Sequence, residues 1–170
     1  MKKLTTRQIA LAAVTGALYV VLSYLASLMN LAYGPIQFRF SEALTVLPFL
    51  SPVTTWGLFV GCVISNILSP YGVLDLIVGS AATLIAGLAT ARCRNRWLAP
   101  LPPVICNGLL VGAMLAYYEA GLSGAFWGAF AYNAATVSLG ELAVCYVLVL
   151  PLLAALELSL IHISEPTRHA

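Results

Sequence analysis

The sequence predicts an all-α membrane protein with six transmembrane helices and both termini in the cytoplasm. Three observations predict it. Hydrophobic residues make up 61% of the chain and charged residues only 8%, where a soluble domain carries about a quarter charged residues. The apolar residues fall in runs close to the roughly 17–25 residues a spanning helix needs. The basic residues sit in two short groups flanking those runs, the asymmetry that sets membrane orientation. A mean hydropathy of +0.96 makes the lipid bilayer the main partner. The net charge of +2 gives no ground for nucleic acid.

The first run, residues 8–29, follows Lys2, Lys3 and Arg7 and closes in the turn from Asn30 to Pro35. It exceeds the roughly 7–15 apolar residues of a signal peptide and lacks a small-x-small cleavage site, so it reads as a retained helix. Residues 40–50 form a shorter run, ended by Ser51-Pro52. Next come residues 53–68, the turn Ser69-Pro70-Tyr71-Gly72, and residues 73–91. Pro100, Pro102 and Pro103 open the run at 103–122, and Gly121 to Gly124 precede the last one, 125–156. Arg92, Arg94 and Arg96 mark the loop after the fourth run as cytoplasmic, like the N-terminus. Both ends can be inside only if an even number of crossings separates them, so residues 40–50 count as a crossing. The total is six, in one domain over residues 1–157.

The segment from Leu158 to Arg168 resembles the translation of a transposase sequencing adapter. Residues 158–170 are therefore read as non-native, and their histidines, His162 and His169, are given no chemistry. Cys62, Cys93, Cys106 and Cys145 form no paired motif and read as small apolar residues, neither disulfides nor metal ligands.

Four of the six acids, Glu42, Asp75, Glu119 and Glu141, lie in or at the end of these runs. A carboxylate at the bilayer centre costs about 2.5–3.5 kcal/mol, so such acids face a cavity and serve a ligand or an ion. Glu141 weighs most, since it lies deep in the last run with Asn133, Ala134, Thr136 and Gly140 nearby. Outside the two basic groups and the tail, Arg39 is the one cation available to pair with it. Arg39 and Glu42 are three residues apart and in reach of a local ion pair, or of a ligand at the outer mouth. Asp75 shares a face with Gly79, Ala82 and Ala86; it either caps its helix or contacts ligand. Asn66, Asn107 and Asn133 are expected to bridge helices before touching ligand, and Glu119 is open to solvation beside Tyr117 and Tyr118. On the first helix, Thr6, Ala10, Ala13 and Ala17 make a small-residue ridge, with Gly16 beside it. Such ridges let helices approach closely, within this chain or in a separate membrane protein.

No G-x-x-x-x-G-K-[ST] occurs, and the lysines are Lys2 and Lys3 alone. The chain therefore has no phosphate-binding loop. H-E-x-x-H, G-x-S-x-G and metal-ligand clusters are also missing. No inverted repeat of the usual secondary-transporter kind is visible. No cofactor is expected, and the chain is not read as an enzyme.

Three blocks carry a family resemblance: Gly34-Pro35-Ile36-Gln37-Phe38-Arg39-Phe40-Ser41-Glu42-Ala43-Leu44; Asn66-Ile67-Leu68-Ser69-Pro70 with Leu74-Asp75; and Asn133 with Gly140-Glu141. On these, residues 1–157 resemble a substrate-binding (S) component of an energy-coupling factor (ECF) transporter. Within that group they are similar to the queuosine-precursor transporter family. Ala13-Val14-Thr15-Gly16-Ala17 matches the Ala-x-x-x-Ala pattern with which such components dock on their transmembrane partner. The resemblance implies a six-helix protein of the bacterial plasma membrane that captures a micronutrient with high affinity at the outer face. It then tips against a transmembrane coupling subunit driven by two ATPase subunits, where all ATP hydrolysis resides. The implied cargo is a 7-deazaguanine base. Its ring N–H and amino donors suit carboxylates and amides, and its ring suits aromatic faces. Glu42, Asp75, Asn133 and Glu141 are the expected polar contacts, with Arg39 and Asn66 beside them and Tyr71 or Tyr132 stacking. Ala10, Ala13, Gly16 and Ala17 are the expected docking residues. The competing readings are an autonomous proton-coupled carrier, an S component for another vitamin or base, and a scaffold that binds no solute.

Overall fold

The computed structural model describes residues 4–32, 38–148 and 151. Lys2, Lys3, Tyr33, residues 34–37 of the first block, and the tail with its adapter-like segment lie outside the described residues. Among the described residues, the regular elements form six continuous helices and no strand. They are α1 (Thr6–Leu28), α2 (Phe40–Leu50), α3 (Thr54–Asn66), α4 (Val73–Thr90), α5 (Leu101–Ala120) and α6 (Phe126–Val147). Three of them, α1, α4 and α5, are long and apolar enough to cross a membrane.

Local chemistry explains the boundaries. Thr5 caps α1 through a reciprocal pair with Gln8: Gln8 N donates to Thr5 Oγ1 at 3.3 Å, and Thr5 N donates to Gln8 Oε1 at 2.9 Å. Gly72, at φ +61°, turns the chain into α4, and Gly121, at φ +58°, ends α5. The prolines at 100, 102 and 103 sit at the start of α5, where a missing N–H costs nothing.

Two features depart from a plain six-span reading. The first seven residues of α2, Phe40–Val46, are 3₁₀, and four α-helical residues follow. The whole helix covers about 20 Å, against a hydrocarbon core of about 30 Å. Residues 40–50 therefore do not make a full crossing by themselves. In α5, Asn107–Val111 is a π-helical turn, so one extra residue is taken into the helix at that level.

The bundle is apolar outside, and its interior combines three apolar clusters with an unusual set of buried polar and charged side chains. Leu18, Val21, Ile64, Ile77, Ile85, Ile105, Leu109 and Leu139 face outward, while Glu42, Asn66, Asp75, Thr83, Asn107, Asn133 and Glu141 are buried. The tightest seam joins α1 to α3. A Cβ on Gly16 would lie 2.8 Å from the Gly57 carbonyl oxygen, and one on Gly61 would lie 2.7 Å from the Gly16 oxygen. Backbones this close tolerate glycine alone, the packing device of membrane helices. Gly16 is thus used within the chain. Ala10, Ala13 and Ala17 remain exposed on the outer side of that seam. All four cysteines are free.

Candidate solute-binding cavity

Tyr19, at mid-length of α1, is 1% exposed among Leu44, Leu58 and Cys62. Its hydroxyl donates to Glu42 Oε1 at 2.6 Å. The 3₁₀ turn of α2 makes this possible by carrying the Glu42 backbone into the bundle; its carbonyl accepts from Thr45 Oγ1 at 2.6 Å and from Cys145 Sγ at 3.8 Å. Glu42 Oε2 is buried with no hydrogen-bond partner.

Glu141 comes from α6, opposite. Its Oε1 accepts a hydrogen bond from Asn107 Nδ2, and its Oε2 accepts from Cys145 Sγ at 3.6 Å. Asn107 is the first residue of the π turn. The irregular turn thus falls where α5 meets the acid.

Arg39, just before α2, crosses to α4 and pairs with Asp75, Nη2 to Oδ2 at 3.3 Å. Ser69 Oγ donates to the same Oδ2 at 2.6 Å, and Asn66 Nδ2 donates to the Asp75 carbonyl at 3.0 Å. Two sequence expectations are corrected here. Arg39 reaches a distant acid while Glu42 turns toward Tyr19, so the local Arg39–Glu42 pair gives way to two long-range contacts. Asp75 is fully buried and its side chain does not cap α4, because Gly72 occupies the cap position.

Arg39, Glu42 and Glu141 line one enclosed cavity with Asn107, Thr83 and Gly79, closed on its apolar side by Val111, Val137 and Val144. Asp75 and Asn66 stand directly behind Gly79: a Cβ there would lie 2.8 Å from Asn66 Nδ2. The cavity volume is about 10 Å³, the space of about one water. A base-sized solute does not fit in that space as it stands. Two carboxylates face a single arginine that is already paired with a third, so the cavity calls for hydrogen-bond donors or a cation.

The other expected site residues lie elsewhere. Asn133 Nδ2 donates to Glu119 Oε2 at 2.9 Å, bridging α6 to α5. Tyr71 packs edge-on against Tyr118, ring centroids 5.1 Å apart. Tyr132 is 59% exposed. Sequence reasoning missed Tyr19 and Thr83. Thr83 carried a usable signal, since it follows Gly79 by one helical turn and Asp75 by two. Tyr19 carried none, being one aromatic among many apolar neighbours. A larger groove of about 460 Å³ runs outside between α1 and α3, but its lining is almost wholly apolar, from Ile9 and Ala13 to Trp56 and Ile64. It offers a polar solute nothing to bind.

An apolar-surfaced helical bundle with carboxylates buried in its interior has the architecture of an integral membrane protein. The chain belongs to the QueT transporter family, whose model matches residues 9–158. It is similar to the queuosine precursor transporter QueT of Lactococcus lactis subsp. cremoris (strain MG1363), with 42% identity over 85 residues, 50% of this chain and 50% of that relative. The chain thus spans about half the length of the curated relative it matches. No solved structure matches it.

Proposed function

We propose that this chain binds a queuosine precursor, a 7-deazaguanine base, in the Glu42–Glu141 cavity and serves as the substrate-binding component of an ATP-driven ECF importer. The observation that carries the reading is the convergence of Glu42, Glu141, Asn107 and Arg39 on one enclosed space inside an apolar-surfaced bundle. A 7-deazaguanine presents ring N–H and amino donors along one edge, which carboxylate and amide oxygens accept. Glu42 Oε2 is the acceptor in want of such a donor. Asp75 and Asn66 support the cavity from behind, and Asn133, Tyr71 and Tyr132 belong to an outer path that a solute passes on entry.

The cavity is too small for a base as it stands, so capture includes a conformational step that widens it. In the proposed topology both termini are cytoplasmic and the chain makes six passes, one of them counted at α2. The exposed Ala10, Ala13 and Ala17 then form the docking ridge for a transmembrane coupling subunit, which works with two ATPase subunits. Their support is steric: small side chains on an outward face admit another helix closely. The host membrane is the plasma membrane of a bacterium.

The test is uptake of labelled 7-deazaguanine by cells expressing the chain with and without an ECF coupling module. Uptake that needs the module supports the reading. Uptake by the chain alone that collapses with a protonophore would instead establish a proton-coupled carrier.

A further inference from the structure

The loop between α4 and α5 holds a second cluster of charge, and none of its residues lines the cavity. Arg92, Arg94 and Arg96 alternate with Cys93 and Asn95, and all three arginines are exposed. Trp97 and Leu98 follow, 55% and 52% exposed. Large apolar side chains beside arginines make an unusual surface for water alone.

The loop is held in shape. Asn95 Oδ1 accepts from Trp97 N at 3.0 Å, and the Asn95 carbonyl accepts from Leu98 N and Ala99 N at 3.0 and 3.1 Å. Tyr146 Oη of α6 donates to the Trp97 carbonyl at 3.0 Å, and Thr90 Oγ1 of α4 donates to the Ala99 carbonyl at 3.3 Å. The Arg96 guanidinium lies 5.6 Å from the centre of the Trp97 ring. The backbone that carries the arginines and the indole is therefore held in one shape, so that they are presented together. Below the loop, Ile105 and Leu109 continue the exposed apolar strip along α5.

We propose that residues 92–98 bind the headgroups of anionic phospholipids. The arginines contact the phosphates, while Trp97 and Leu98 sit at the level where headgroup meets acyl chain. The exposed Leu98, Ile105 and Leu109, running from the loop along α5, favour lipid over a soluble protein partner. The inference rests on the membrane reading of the chain and is independent of the solute it carries.

The test is native mass spectrometry of the whole chain released from micelles holding equal amounts of phosphatidylglycerol and phosphatidylcholine. The wild type is expected to retain phosphatidylglycerol at about fivefold excess or more. The triple variant Arg92→Gln/Arg94→Gln/Arg96→Gln is expected to bring the ratio near one, and Arg94→Gln alone to lower it in part. Excess inorganic phosphate should leave the adducts in place. Equal retention of both lipids by the wild type overturns the proposal, as does an unchanged preference in the triple variant. Displacement by phosphate would show a simple anion site. Binding of 7-deazaguanine should be unchanged in these variants, which separates the fate of this inference from that of the solute site.

Discussion

The Tyr19 hydroxyl donates to Glu42 Oε1 at 2.6 Å, joining the middle of α1 to the first turn of α2 across 23 residues of sequence. That bond orients the carboxylate, holding one oxygen and leaving the other for a ligand. Tyr19→Phe keeps the ring among Leu44, Leu58 and Cys62 but removes the donor. Leaving a buried acceptor unsatisfied costs about 1–3 kcal/mol. The variant is expected to fold, to unfold more easily in a detergent melt, and to bind its solute about tenfold more weakly. Unchanged binding would mean that Glu42 needs no orientation from α1.

Arg39 and Asp75 tie the start of α2 to α4 where the cavity closes. Removing one partner of a buried pair costs about 3–5 kcal/mol, whereas replacing both with apolar groups often costs little. Arg39→Met and Asp75→Leu should each lower the melting temperature markedly, and the double variant should recover most of the loss. A double-mutant cycle measures this, and simple additivity of the two losses would show that the pair is not coupled.

The two faces of α1 should respond oppositely to bulk. Gly61→Leu drives a side chain into the Gly16 backbone and is expected to abolish a monodisperse peak in size-exclusion chromatography. Ala13→Leu and Ala17→Leu lie on the exposed ridge. They should leave folding and solute binding intact while blocking co-purification with the coupling subunit. Retained co-purification in both alanine variants would remove the ridge from the docking surface.

The helices were legible in the sequence because hydropathy, turns and prolines report on each segment locally. Runs at 8–29, 73–91 and 103–122 match α1, α4 and α5 within a few residues. What escaped was set by packing. The 3₁₀ form of α2 and the π turn of α5 leave no mark in an apolar run, yet they place Glu42 and Asn107 at the cavity. Long-range pairing overrode near neighbours: Arg39 passed over an acid three residues away for one 36 residues on. The interhelical asparagines were readable in kind, since Asn66, Asn107 and Asn133 each bridge two helices. Which of them borders the cavity was not readable, because depth and rotation about a helix axis come from neighbours absent from the local sequence.

The most direct measurement is calorimetric titration of 7-deazaguanine bases into purified wild type and into Glu42→Gln, Glu141→Gln and the double variant, each checked for folding by circular dichroism. Removing a charged acceptor from a buried hydrogen bond costs about 1.5–3 kcal/mol. The account expects tight binding by the wild type, a loss of about 10- to 100-fold in each single variant, and no detectable heat in the double variant. Wild-type affinity in the folded double variant would contradict it, and would move the solute out of the Glu42–Glu141 cavity.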